Sequence, residues 1–292
     1  MLNLLVNPIA GGKQGKKMRK NLAAIEHRLK TANVPYTVFK TSARGDATAL
    51  TRKIIADGGD NVIVVGGDGT LHEAINGFSD FDRVTLGVIP CGTGNDFAAA
   101  LKIPEDPVKA TDIIIKGNAS YVDFMQMPTV RGLNIIGMGV DVEVLKLYAA
   151  SKKKNKLTYT KCLLKALISY KCIQFDYSLD GNEKTRCTSF MACVANGHRY
   201  GGGIPICPIA DPADGKLDFV TVSGMGKLKT AAAVVKLKTG KVLTVKEASH
   251  FNMKNVSVFP LTEHYTVNVD GELYEDIPFD VKIVSGVLKV FC

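Results

Sequence analysis

Short apolar runs alternate with amphipathic stretches through the first third of the chain. Leu2–Val6, Tyr36–Phe39, Val62–Val65 and Val84–Ile89 are aliphatic or β-branched and bounded by polar or glycine-rich turns, as buried strands are. Between them, Lys17–Ala32, Ala47–Asp57, Leu71–Phe78 and Asp96–Leu101 carry helical patterning. This alternation predicts a doubly wound α/β domain, a parallel sheet flanked by helices, with its ligand at the carboxyl ends of the strands. From Tyr121 onward the texture changes. Leu133–Ile136, Phe190–Val194, Leu217–Val222, Val256–Phe259, Tyr265–Val269 and Val281–Val284 are closely spaced and separated by Gly, Asn, Asp and Pro. They predict a β-rich, sandwich-like second domain. A linker near Lys116–Asp123 divides the chain into residues 1–122 and 123–292, with the extreme C-terminus free to return to the first domain.

Three glycine turns sit at predicted strand ends. Gly66-Gly67-Asp68-Gly69-Thr70 follows the run Asn61–Val65 directly, and Leu71-His72-Glu73 then opens a helix. Glycines let backbone amides approach a ligand closely, and a helix N-terminus favours an anion. That combination is a phosphate cradle. Asp68 within it is repelled by phosphate unless a divalent cation bridges them, so the segment reads as a nucleotide–Mg²⁺ site. The alternative is a tight turn without ligand. Asn7-Pro8-Ile9-Ala10-Gly11-Gly12 repeats the arrangement after the first strand, and Pro90-Cys91-Gly92-Thr93-Gly94-Asn95-Asp96-Phe97 after the fourth. Thr93 is a donor for a phosphate or ribose oxygen, and Asn95 or Asp96 a helix cap. Thr41–Asp46 adds a polar turn to the same rim. Neither common nucleotide signature is present. Gly11 to Gly15 is one residue too short for a P-loop, and Phe97 stands where a dinucleotide fingerprint needs its third glycine.

Composition narrows the field. At 292 residues two domains are expected, and 46% hydrophobic with 22% charged residues is ordinary for a globular protein. No apolar stretch reaches the ~18–20 residues of a membrane span, and Met1–Val6 reads as a first strand, not a signal segment. Seven cysteines without a C-x-x-C pair point to reduced thiols, small core residues in a cytosolic setting. The net charge of +9 concentrates around Lys146–Lys171, where Ser151–Lys156 precedes an amphipathic stretch from Leu157 to Tyr170. It suits an anionic membrane surface, at about 1 kcal/mol per lysine, or else a solvated helix face. No nucleic-acid module accompanies it. Asp211, Asp214 and Asp218 around Gly215 form an acidic turn of hard oxygen donors suited to Mg²⁺, or an Asx-stabilised hairpin without metal. Asp270 and Glu272 flank Gly271. They are candidates to take the proton from a hydroxyl nucleophile, on one face of a strand or across a turn.

Together these segments resemble the bacterial diacylglycerol kinase and lipid kinase family, kin to sphingosine kinases, along nearly the whole chain. The resemblance rests on Asn7-Pro8, Gly66–Thr70, Gly92–Phe97, Gly137-Met138-Gly139-Val140-Asp141, Ala195-Asn196-Gly197 with Tyr200–Gly203, Asp214–Asp218 and Val269–Glu272, in that order. It implies ATP phosphates along Asn7, Pro8, Ile9, Ala10 and Gly11. It extends them over Gly66, Gly67, Asp68, Gly69, Thr70, Leu71, His72 and Glu73, with Thr41, Thr93 and Asp96 contributing. It implies a structural Mg²⁺ at Asp211, Asp214 and Lys216, linked through water toward the catalytic Asp68. It places the general base on the last segment, with Glu272 favoured and Asp270 beside it, the two roles being exchangeable. Diacylglycerol phosphorylation in the cleft between the domains follows, by a cytoplasmic, peripherally and transiently membrane-bound enzyme; the resemblance also suggests a homodimer. Two rivals stand beside this expectation: an NAD kinase-like phosphotransferase, and a catalytically silent lipid-binding protein.

Overall fold

The computed structural model describes residues 1–10, 15–152 and 156–292, side chains 156, 168 and 227 apart. Gly11 of the expected phosphate loop and Lys153 and Lys154 of the lysine cluster therefore lie outside the described residues. In chain order the elements are β1 (Leu2–Val6), α1 (Lys16–Thr31), β2 (Tyr36–Lys40), α2 (Asp46–Ala56), β3 (Asn61–Gly66), α3 (Asp68–Ile75), β4 (Thr85–Pro90), α4 (Asp96–Ala100) and α5 (Pro107–Lys116). There follow β5 (Ala119–Gln126), β6 (Arg131–Gly132), β7 (Ile135–Gly139), α6 (Val140–Ala149), α7 (Lys156–Ser169), β8 (Ile173–Leu179), β9 (Thr185–Ala195) and β10 (Leu217–Ser223). The chain ends with α8 (Lys227–Lys238), β11 (Ala248–Met253), β12 (Asn255–Pro260), β13 (Thr266–Val269), β14 (Glu272–Glu275) and β15 (Phe279–Phe291).

Two compact units result. The first comprises Met1–Asp123 with Ser285–Cys292, the second Phe124–Val284. In the first, β1 pairs parallel with β2 and β3, and β3 with β4; the end of β15 joins β4 in parallel through Lys289 and Val290. All six residues of β3 are buried, which is why the run is uniformly apolar rather than alternating. Asp106 caps α5 through the amides of Val108 and Lys109, Pro107 opens the helix and Gly117 closes it. The segment expected as a linker contains strand β5, whose second half is buried.

The second unit is antiparallel and sandwich-like. β13 pairs β14 and β7, β9 pairs β7, β8 and β10, β8 pairs β12, and β12 pairs the first part of β15. Phe175, Phe219, Val256, Val267 and Val281 fill one core of this unit. Tyr159, Cys162, Leu163 and Ala166 put one face of α7 into a second. Leu157 and Leu164 of the same helix remain exposed, so its patterning serves two faces. All seven cysteines are free. Among the described residues no helix is long and apolar enough to cross a membrane.

Candidate active site

In the first unit the turns after β1, β3 and β4 are bonded into one rim. The Asn7 side chain donates from Nδ2 to Thr70 Oγ1 at 3.0 Å and accepts from the Ile9 amide at 3.1 Å, tying the first turn to the second. Asp68 ties the second to the third: its carboxylate accepts from the Asn95 amide at 2.7 Å and the Asp96 amide at 2.9 Å, the first amides of α4. Asn95 holds a left-handed φ of 56°, and its Oδ1 accepts from the Gly92 amide at 2.9 Å. Gly67 and Gly92 stand so close that a Cβ on Gly92 would lie 2.5 Å from the Gly67 Cα. Glycine is thus required where the two turns touch. Glu73 braces a fourth turn, accepting from the Gly45 and Ala47 amides at 2.8 and 3.1 Å, while Thr48 Oγ1 donates to its carbonyl at 2.7 Å. Gly69, Thr93 and Ile9 are exposed on this rim; Thr70, Leu71, His72 and Asp96 are buried beneath it.

In the second unit Val269 pairs with Glu272, which makes Asp270-Gly271 a two-residue hairpin loop. Its φ values of 53° and 95° are those of a type I′ turn, for which Asp-Gly is a preferred pair. The segment is therefore a turn, with Glu272 as the first residue of β14. Asp270 accepts from three successive amides, Leu133 at 2.6 Å and Asn134 and Ile135 at 2.9 Å each. Asn268 accepts from the Gly271 amide at 2.8 Å and donates to Asp141 Oδ2 at 2.9 Å. Asn196 Nδ2 donates to the Leu133 carbonyl at 2.8 Å. Three motifs remote in sequence thus hold one hairpin, and Glu272 stands half-buried at its end.

Burial pushes the Asp141 carboxyl up to about 6, against the Asn268 hydrogen bond and the nearby amides that favour its ionised form. A folded value above the usual 3.8 means the folded chain holds a proton that the unfolded chain has released, so this contribution to stability falls as pH rises from about 4 to 6. Asp141→Asn keeps an acceptor for Asn268 without the charge. Its stability relative to wild type is expected to rise by about 2 kcal/mol between pH 4.5 and 7.5, read from urea unfolding at each pH.

The acidic turn binds itself. Asp211 Oδ1 accepts from the Ala213 amide and Asp214 Oδ1 from the Lys216 amide, each at 3.0 Å. Asp218 turns away from it, buried against His250 and Asn252. Burial first, and then the charges of Asp218 and Asp211, raise the Asp214 carboxyl. Exposed hard oxygens crowded by like charge fit a divalent cation, with Asp214 and the chain at Asp211 and Lys216 as its holders.

Comparison with known proteins gives the family. Residues 1–127 match the diacylglycerol kinase catalytic domain, and residues 134–292 the YegS C-terminal NAD kinase beta sandwich-like domain. A diacylglycerol kinase of Staphylococcus carnosus is 35% identical over 99% of this chain and 94% of its own. The chain belongs to the diacylglycerol kinase family. It is a lipid kinase, an ATP-dependent transferase. A diacylglycerol kinase of Bacillus subtilis is 30% identical over 92% of this chain and 88% of that protein. The crystal structure of a candidate diacylglycerol kinase from Bacillus anthracis superposes with a TM-score of 0.82 at 28% identity, covering 99% of this chain and 94% of the other. An NAD kinase from Archaeoglobus fulgidus in complex with ATP, at TM-score 0.54 and 17% identity, shares the fold alone. In this diacylglycerol kinase relative, the bracing by Asn268, Asp141, Asn134 and Asn196 was missed by sequence reasoning. The Gly137–Asp141 and Asn196-Gly197 motifs marked the positions without indicating the task.

Proposed function

We propose that this lipid kinase transfers the γ-phosphate of Mg·ATP to the free hydroxyl of diacylglycerol, giving phosphatidic acid and ADP for phospholipid synthesis. The observation that carries the reading is the Asp270-Gly271 hairpin, whose backbone is fixed by Asp270 and Asn268 and which presents Glu272 as the first residue of β14. The lipid hydroxyl oxygen attacks the γ-phosphorus, the bond from that phosphorus to the β–γ bridging oxygen breaks, and Glu272 takes the hydroxyl proton. Asp270, committed to three amides, positions that base. Amides of the 67–70 turn and of Thr93 and Gly94 would hold the polyphosphate, with the 7–10 turn lining the same rim; Asp68 keeps the second and third turns in register by taking up the Asn95 and Asp96 amides. A cation at Asp214, with Asp211 and Lys216, would neutralise the crowded carboxylates of that turn.

A surface of exposed apolar side chains and lysines supports the same reading. Leu157 and Leu164 on α7, and Leu228 and Val235 on α8, are exposed, with Leu228 at 90%. Exposed Lys161, Lys165 and Lys238 lie on the same helices. Apolar anchors among lysines suit an anionic lipid surface. A cavity of about 220 Å³ has an apolar side formed by Met138, Val142, Ile173 and Pro260 and a polar side that includes Glu143, Lys146, Gln174 and His264, a mixed wall suited to the glycerol end of a lipid rather than to its chain alone. The experiment is phosphate transfer from radiolabelled ATP to diacylglycerol, sphingosine, ceramide, phosphatidylglycerol and NAD, with each lipid presented in neutral and in anionic vesicles. Diacylglycerol in anionic vesicles is expected to be labelled fastest. Label passing preferentially to NAD, or to none, refutes the assignment.

A further inference from the structure

The second unit also gathers three side chains able to bind a soft or borderline cation, none of them among the phosphoryl-transfer residues. Cys207 is fully buried at the start of a turn closed by the Ala210 amide on the Cys207 carbonyl at 3.1 Å. The amides of Ile209 and Ala210 also donate to its sulfur. Burial, and then the charge of Asp218, push the Cys207 thiol up to about 12 against these two amides, so the sulfur keeps its proton until a cation takes the proton's place. Asp218 lies on β10 and His250 on the neighbouring β11, where Asp218 pairs with Asn252 and Val220 with His250. The period of two along each strand puts both side chains on one face of the ladder. His250 Nε2 is 2.6 Å from Asp218 Oδ1, and Asn252 Nδ2 donates to the same oxygen at 2.7 Å. The sulfur, a carboxylate oxygen and an imidazole nitrogen all lie within 4.8 Å of one another.

We propose that Cys207, Asp218 and His250 form a binding site for a Zn²⁺-class cation, distinct from the hard-oxygen turn at Asp211–Lys216. Donor atoms around a tetrahedral Zn²⁺ are separated by ~3–4 Å, as metal–ligand lengths of ~2.0–2.3 Å require. The His250 Nε2–Asp218 Oδ1 pair must open from 2.6 Å to about 3 Å and the sulfur, within 4.8 Å of both, close in slightly, shifts within reach of side-chain rotation. Charge balances: a thiolate and a carboxylate contribute one negative charge each and the imidazole none, so a dication leaves the buried site neutral. Binding releases the thiol proton to solvent, and the imidazole binds through Nε2 as the neutral tautomer that carries its hydrogen on Nδ1, so the cation takes the place of the His250–Asp218 hydrogen bond. Sulfur and imidazole select Zn²⁺ or Co²⁺ over Mg²⁺. The His250 side chain is 23% exposed against 4% for Asp218, which leaves a way in and a position for water. The cation would staple the β10–β11 ladder to the turn that leads into Asp211, so the expected consequence is metal-linked stability.

The test uses the full chain, stripped with chelator and titrated with Co²⁺ in excess Mg²⁺. One equivalent is expected to bind with a sulfur-to-cobalt charge-transfer band in the near ultraviolet. Zn²⁺ should displace it and raise the Tm. Cys207→Ser and Cys207→Ala should each lose the band, and His250→Ala should weaken Zn²⁺ binding at least about tenfold. Absence of the band in folded wild-type protein overturns the proposal, whatever the variants do. So does a band that persists in either Cys207 variant, since one of the other six cysteines would then be the ligand.

Discussion

Glu272→Gln is expected to lower kcat for lipid phosphorylation by about 10²–10⁴-fold, the range a positioned general base supplies. That loss corresponds to roughly 3–5 kcal/mol of barrier. Glutamine keeps the shape of the side chain and its hydrogen bonding but accepts no proton at neutral pH, so the KM for ATP and the urea midpoint should stay near wild type. The hairpin should survive, because Asp270 and Asn268 brace its backbone and both are unchanged. Asp270→Ala should fail by a different route. It deprives three amides of their acceptor and puts a non-glycine, non-Asx residue at φ 53°, so about 3 kcal/mol or more of stability is lost. Measuring kcat beside urea unfolding separates the two variants. A kcat within tenfold of wild type for Glu272→Gln removes that residue from the chemistry.

The first unit was legible because its strands are buried on both sides and its turns end in glycine. Asn61–Gly66 is apolar throughout for the first reason, and Gly67 and Gly92 cannot carry a side chain for the second. Helix α5 had its signals, Asp106 before Pro107 and Gly117 at the end, and was overlooked among the stronger glycine motifs. The second unit gave up its sheet but less of its wiring. Alternation announces a strand, whereas the partner of a buried carboxylate depends on register between strands far apart in sequence. Nothing local to Val269–Glu272 says that Asp270 reaches the amides of residues 133–135, or that Asn268 meets Asp141. Cys207, Asp218 and His250 illustrate the same limit. Their spacing fits no metal motif, and only the antiparallel pairing of β10 with β11 brings two of them to one face. Asp218 in turn left the acidic cluster that sequence proximity had assigned it to.

Asp68→Ala is expected to reduce kcat/KM for ATP by about 10²–10³-fold. Its carboxylate accepts from the amides of Asn95 and Asp96, and hydrogen bonds to a charged group contribute roughly 1.5–3 kcal/mol each. Losing both frees the turn that starts α4 from the turn after β3, and the Gly67–Gly92 contact makes the displacement of one a displacement of both. A phosphate cradle assembled from backbone amides depends on such ties for its geometry, so disorder in the turns appears directly as weaker transition-state binding. The Asp68→Asn variant distinguishes this role from cation binding. The asparagine side chain retains one acceptor oxygen, so a capping residue should leave Asp68→Asn intermediate between wild type and Asp68→Ala, with the dependence of rate on Mg²⁺ unchanged. A cation ligand would make Asp68→Asn nearly as poor as Asp68→Ala and shift the Mg²⁺ requirement upward. Activity within tenfold of wild type in Asp68→Ala, under about 1.4 kcal/mol of barrier, would mean that the three turns keep their register without it.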